Sequence, residues 1–162
     1  KKLGGENISK TIKNALTKMG LLELERWINV LMLQELSEKK PPELIRLSLL
    51  RSKFGELVAT NSIFNHRRHE VALMCLFSVI DALLDQPMDQ ALEGVAISED
   101  VKDALIRHQG SLIPICNIVH SYEHGLWNET VQYAENINIK EEKLHAYYIE
   151  SVNWVNRITE FI

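Results

Sequence analysis

The sequence lacks the features that would tie it to a disulfide-bonded, strand-rich or nucleic-acid-binding protein. Only two of its 162 residues are cysteine, Cys75 and Cys116, and they form neither a C-x-x-C pair nor a spaced framework. Both sit among apolar neighbours and read as reduced core residues of a cytoplasmic protein. Glycine occurs seven times and proline four times, too rarely for a loop-rich or low-complexity chain. Asn-Gly and Asp-Gly hairpins are missing, as is any sustained alternation of β-branched residues, so strands are not expected. Lys and Arg number 18 against 22 Asp and Glu, giving a net charge of −4. That balance offers no basic face for nucleic acid.

Long apolar runs are also missing. The most apolar stretch, Val71 to Leu84, covers 14 residues, against about 20 for a membrane-spanning helix. Ser78 and Asp81 interrupt it, and it reads as a buried core helix, so no membrane insertion is expected. No signal peptide is visible. No phosphate loop, dinucleotide glycine fingerprint or G-x-S-x-G elbow is present, and no cofactor is expected. The chain starts at Lys1 and not at Met, so it reads as a piece of something longer.

What is present is helical periodicity almost throughout. Ser9 can cap a first helix ending near Gly20, and Leu21 to Ser37 is a second. Pro41-Pro42 stops it and suits the first turn of a third, to about Ala59. After a polar loop from Thr60 to His66 comes the core helix ending at Leu84. Pro87 to Leu92 is a short helical turn, Ser98 caps Val101 to Arg107, and Ser111 to His124 is closed by Gly125. Trp127 to Asn136 and Lys140 to Phe161 complete the set. No linker or repeat divides the chain, and residues 1–162 read as one all-α domain.

On the third helix Leu44, Leu47, Leu50, Phe54, Leu57 and Val58 form an apolar stripe, and Arg51 falls inside it. Asp81 sits within the core helix. A buried charge costs several kcal/mol unless paired, so Arg51 and Asp81 are expected to form a buried ion pair. The alternative is that Arg51 snorkels and Asp81 faces solvent.

Two further constellations bear on chemistry. His120-Ser-Tyr-Glu-His124 spells H-x-x-E-H, the inverted zincin signature, in which two histidines chelate zinc and the glutamate acts as base. Gly125 follows at once, and a histidine at a helix end is favoured by the dipole without any metal. His66 and His69 flank two arginines and fit a solvated helix start better than an anion site. His108 and His145 are isolated. Trp27, Trp127 and Trp154 read as core or domain-interface anchors.

Several segments resemble, in order and spacing, the HDOD family, a helical offshoot of the HD phosphohydrolases found in bacterial signalling proteins. They are Ile8 to Gly20, Glu25-Arg-Trp-Ile28, Pro42 to Arg51 with Phe54 and Glu56, Leu76 to Leu84 with Pro87-Met88, Ile97 to Leu105, and Tyr122-Glu-His-Gly-Leu-Trp127. The similarity is greatest to HDOD regions that follow an EAL-type domain. It implies an HD-like helical bundle of about seven to nine helices, with the family's opening helices missing before Lys1. Where an active HD enzyme reads roughly Gly-Leu-Leu-His-Asp, this chain has Cys75-Leu76-Phe77-Ser78-Val79. Serine and valine cannot stand in for a histidine–carboxylate metal pair. The resemblance therefore implies no catalytic residue, no metal and no enzyme, but a regulatory domain in bacterial cyclic di-GMP signalling. It implies contact with an attached EAL-like domain or another protein, and Tyr122 to Trp127 becomes a family landmark and not a zinc motif. Arg26 and Trp27, with the third helix, are the candidate contact surface or its support. Two rival readings are a metal-dependent phosphohydrolase of the HD superfamily and a structural dimerisation module acting as a homodimer.

Overall fold

The computed structural model describes residues 42–93, 95 and 97–159. The two expected helices before residue 42, and with them Arg26 and Trp27, lie outside the described residues. Among those described, the elements are α1 (Pro42–Thr60), a 3-10 turn (Asn65–Arg67), α2 (Arg68–Leu76), a second 3-10 turn (Phe77–Val79) and α3 (Ile80–Leu84). Then come α4 (Met88–Ala91), α5 (Glu99–Lys102), which runs into a π-turn (Asp103–Arg107), α6 (Ile113–Glu123), α7 (Trp127–Asn136) and α8 (Glu142–Thr159). The described part is all-α, as its periodicity requires.

Helix α1 is the hub and packs against α2, α6 and α8. Its most buried face is not the leucine stripe. Leu44, Leu47, Leu50 and Leu57 are only half-buried, whereas Ser48, Leu49, Ser52, Phe54, Gly55, Val58 and Ala59 are buried. Apolarity ranks the leucines first, but contact distance favours the small residues. A Cβ placed on Gly55 would lie 2.5 Å from Cys75 Sγ and 3.4 Å from Val71 Cγ1, so α1 and α2 touch there with no room for a methyl group.

Hydroxyls stitch the same seam. Ser52 Oγ donates to the Ala72 carbonyl at 2.9 Å, and Ser48 Oγ donates to the Leu76 carbonyl. The second bond matters because the expected continuous helix from Val71 to Leu84 is broken. The 3-10 turn over Phe77–Val79 sends the Ile80 N–H to the Phe77 carbonyl, one residue short of the α-helical partner. The Leu76 carbonyl receives Ser48 instead, which satisfies a buried acceptor.

On its other side α1 meets α8. Arg46 donates to Asn156 Oδ1 and Thr159 Oγ1 at 2.6 and 2.7 Å. Lys53 lies over the Trp154 ring, and Phe54 meets Tyr148 edge-on. Arg67, expected to be solvated, instead clasps three segments: it donates to Glu70 and Ser111 and pairs with Asp100. Ser98 caps α5 as its position predicts, accepting from the Val101 N–H.

Helix α6 ends in a Schellman motif. The Leu126 N–H reaches the Ser121 carbonyl at 2.9 Å and the Gly125 N–H reaches that of Tyr122 at 3.2 Å, with Gly125 at φ +67°. That conformation is cheap only for glycine. It fixes Glu123 as the last residue of α6 and turns the chain into α7.

Gly55→Ala is expected to destabilise the protein by about 1–3 kcal/mol through overpacking, seen as a lower urea midpoint. Adding Cys75→Ala removes the sulfur that the new methyl would strike, so the double variant should lose less than the sum of the singles. Strict additivity would mean that the seam is not limited by that contact.

Candidate functional site

The charged centre of the fold is Arg51, in the middle of α1. Its guanidinium grips Glu123 in a fork: Nε donates to Oε1 at 2.9 Å and Nη2 to Oε2 at 2.8 Å. Nη1 donates to Ser78 Oγ at 3.2 Å, and Ser78 in turn donates to the Cys75 carbonyl at 2.7 Å. Three separate elements are thus joined through one planar cation, a task that suits arginine and not lysine. The side chains of Arg51 and Glu123 are 22% and 13% exposed, so the pair is largely but not fully withdrawn from water.

Burial alone would weaken the Arg51 charge. The hydrogen bonds and field of Glu123 more than restore it, Asp81 adds to the field, and the guanidinium pKa is raised overall. The expected pairing of Arg51 with Asp81 is therefore corrected. Arg51 takes its carboxylate from α6, and Asp81, half-buried on α3, acts on it only through the field. The reason lies in the end of α6, which brings Glu123 against Arg51: its two oxygens take Nε and Nη2, and Ser78 takes Nη1.

Nothing in the helical periodicity points to Glu123 as that partner. One signal was available. A carboxylate at the C-terminal end of a helix opposes the dipole and so calls for a cation.

Beside this fork opens a cavity of about 420 Å³. Arg51 and Glu123 form its charged edge with Ser78 beside them, while Asn117, His108 and His120 are its remaining polar side chains of note. Met74, Met88, Leu105, Ile113 and Val119 supply apolar wall. Both cysteines reach it, as free thiols, with Cys116 Sγ 3.6 Å from Met74 Sδ. Burial pushes the Cys116 thiol up to about 11 and the Cys75 thiol well above its ordinary range, with a smaller contribution from the neighbouring Cys116.

The zincin elements do not converge. The His120 and His124 rings stack with centroids 4.1 Å apart, His124 Nδ1 meets the His120 carbonyl, and Glu123 is committed to Arg51. Among the described residues no three His, Cys, Asp or Glu side chains group as metal ligands. Val79, which the resemblance aligns with the second residue of an HD enzyme's metal dyad, is buried in the core, and Ser78, aligned with the first, sits against the Arg51 cation. This donor set does not fit a divalent metal. Trp154 is buried, but Trp127 is 57% exposed and meets Tyr122 edge-on, so it is no core residue. His145 contacts the Tyr122 hydroxyl, and His66 is exposed. The third helix, offered by sequence as a contact surface or its support, is the hub α1. No described helix is long and apolar enough to cross a membrane.

Two proteins are similar over nearly the whole chain. The Cyclic di-GMP phosphodiesterase CdgJ of Vibrio cholerae is 31% identical over 94% of this chain and 35% of its own length. The uncharacterized protein YuxH of Bacillus subtilis is 25% identical over 93% of this chain and 37% of its own. The chain thus spans about a third of the length of these relatives. No protein-family model and no solved structure matches it.

Glu123→Gln is expected to cost about 1–3 kcal/mol in urea unfolding, because it strands a largely buried guanidinium. Arg51→Met with Glu123→Leu should cost less than Glu123→Gln alone, since no charge is left unpaired. A double variant worse than the single would show that the pair itself stabilises the fold. The thiols set a second expectation. Cys116 ionises near 9 when unfolded and near 11 when folded. Its contribution is therefore complete below pH 9 and is lost as pH rises towards 11. The drop in urea midpoint from pH 8.5 to 11 should be smaller in Cys116→Ala, and an equal drop would count against the burial of that thiol.

Proposed function

We propose that this chain is a non-catalytic, HDOD-type regulatory domain that works in bacterial cyclic di-GMP signalling through protein contact. The resemblance of its segments to that family supports the reading, as does its likeness to part of CdgJ, which is named as a cyclic di-GMP phosphodiesterase. The phosphodiesterase chemistry is assigned to an attached EAL-like domain and not to these residues.

One observation carries the non-catalytic part. Ser78 stands where an HD enzyme keeps its metal-binding histidine, and it is hydrogen-bonded to Arg51. A cation is held where a hydrolase of that type needs to bind another cation. Like charges a few Å apart repel strongly in a partly buried site. Arg51 and Ser78 therefore serve as a joint: α1, the turn after α2 and the end of α6 move together, and a change at one is felt at the others. Such a joint suits a domain that passes a conformational state to its neighbour. The exposed Trp127, with Leu126 beside it, offers a contact surface.

The test has two parts. Elemental analysis of the purified chain should find no stoichiometric iron, manganese or zinc, and the chain should not hydrolyse cyclic di-GMP. Stoichiometric metal with hydrolysis would replace this reading with an HD phosphohydrolase. In the full-length parent, Arg51→Met with Glu123→Leu should change phosphodiesterase output by several-fold while leaving the fold intact. An unchanged output would remove the coupling role.

A further inference from the structure

We propose that the cavity beside the Arg51–Glu123 fork is a binding site for an uncharged, planar aromatic molecule with a hydrogen-bonding edge. Its volume of about 420 Å³ falls within the roughly 300–1,000 Å³ typical of small-molecule sites. The site does not depend on the regulatory reading, since it is argued from the cavity wall alone.

Charge comes first. Among the described residues, the fully charged side chains on the wall are Arg51 and Glu123, and they neutralise one another in the fork. An ion entering here would either break that fork or be left without a counterion, and both cost more than solvation returns. A neutral ligand meets no such barrier.

The apolar wall then narrows the shape. The sequence holds four methionines and two cysteines, and Met74, Cys75, Met88 and Cys116 all line this one cavity. Sulfur is polarisable and makes favourable contacts with aromatic rings, and methionine adapts to irregular flat surfaces. A wall so rich in sulfur suits a ring better than a branched aliphatic body.

The polar edge comes from Asn117 on α6. Its amide is half-buried, lines the cavity and has no hydrogen-bond partner among the described residues. A primary amide offers both donor and acceptor, so it matches a ligand edge carrying the reverse pair, as an amide or a heterocycle does. His108 and His120, exposed at the rim, add ring nitrogens. The backbone on that side is unusual as well. The π-turn Asp103–Arg107 supplies Ala104 and Leu105 to the wall, and His108 after it is held at φ +53°. Single π-turns and left-handed non-glycine residues concentrate at functional sites.

The experiment is ligand-observed NMR on the full 162-residue chain in EDTA, with adenine, indole and nicotinamide as neutral probes. Indole-3-carboxylate and nicotinate serve as charged counterparts of the same ring size. At least one neutral probe should bind saturably, with its charged counterpart about tenfold weaker or more. Cys116→Phe, which fills the cavity, should abolish binding, and Asn117→Leu should weaken it about tenfold. Asn117 is only half-buried, so that variant keeps the test open if Cys116→Phe fails to fold. Failure of all three neutral rings, equal binding of a charged counterpart, or binding unchanged in Asn117→Leu would overturn the site. Because EDTA is present, stoichiometric metal with hydrolysis in the earlier test would sink the regulatory reading without deciding this one.

Discussion

The seam between α1 and α2 sets the position of everything around it. Two helices approach closely only where their side chains are small, and here Ser48, Ser52 and Gly55 present hydroxyls and a hydrogen atom to Ala72, Cys75 and Leu76. Arg51 occupies the same helix one turn after Ser48. Its reach to Ser78 is therefore fixed by a contact that involves neither of them. The break in the helix after Leu76 depends on the seam too, because Ser48 supplies the bond that the turn removes.

A fork between arginine and carboxylate is commonly a structural fastening, and the one between Arg51 and Glu123 fastens α1 to the end of α6. Its position gives it a second effect. It lies along the edge of a cavity and leaves that edge without net charge. An edge with a guanidinium already in place does not suit a divalent metal. The Schellman turn at Gly125 contributes by fixing Glu123 as the last helical residue, where the helix dipole disfavours its charge and Arg51 offsets the cost.

Much of the described fold could be read from the sequence. The limits of α1 and α7, the Ser98 cap and the Gly125 stop follow from proline, serine and glycine at helix ends. The break over Phe77–Val79 could not, because no residue there is a helix breaker; the turn is imposed by packing against α1. The ion-pair partner of Arg51 was hidden for a different reason. Asp81 is the carboxylate nearest to Ser78 along the chain, but Arg51 takes Ser78 and a carboxylate from Glu123, 72 residues away in sequence. Periodicity reports neighbours along a helix and says little about a partner from another one. The leucine stripe of α1 misled for a related reason, since apolarity does not identify the face on which backbones must touch. Arg26 and Trp27 fall outside the described residues, and their part in any contact surface rests on the sequence alone.

The π-turn at Asp103–Arg107 has a consequence of its own. A turn closed from residue i to i+5 holds one residue more than an α-helical turn, so it is equivalent to a one-residue insertion in a helix that began at Glu99. Deleting one residue in this stretch would restore an ordinary helix and rotate all that follows by about 100°. Leu105 and His108 would swing off the cavity wall while the hub helix α1 stayed as it is. In a lineage of such domains the length of this segment, as well as the side chains on the wall, would then separate members that keep the cavity from members that have closed it.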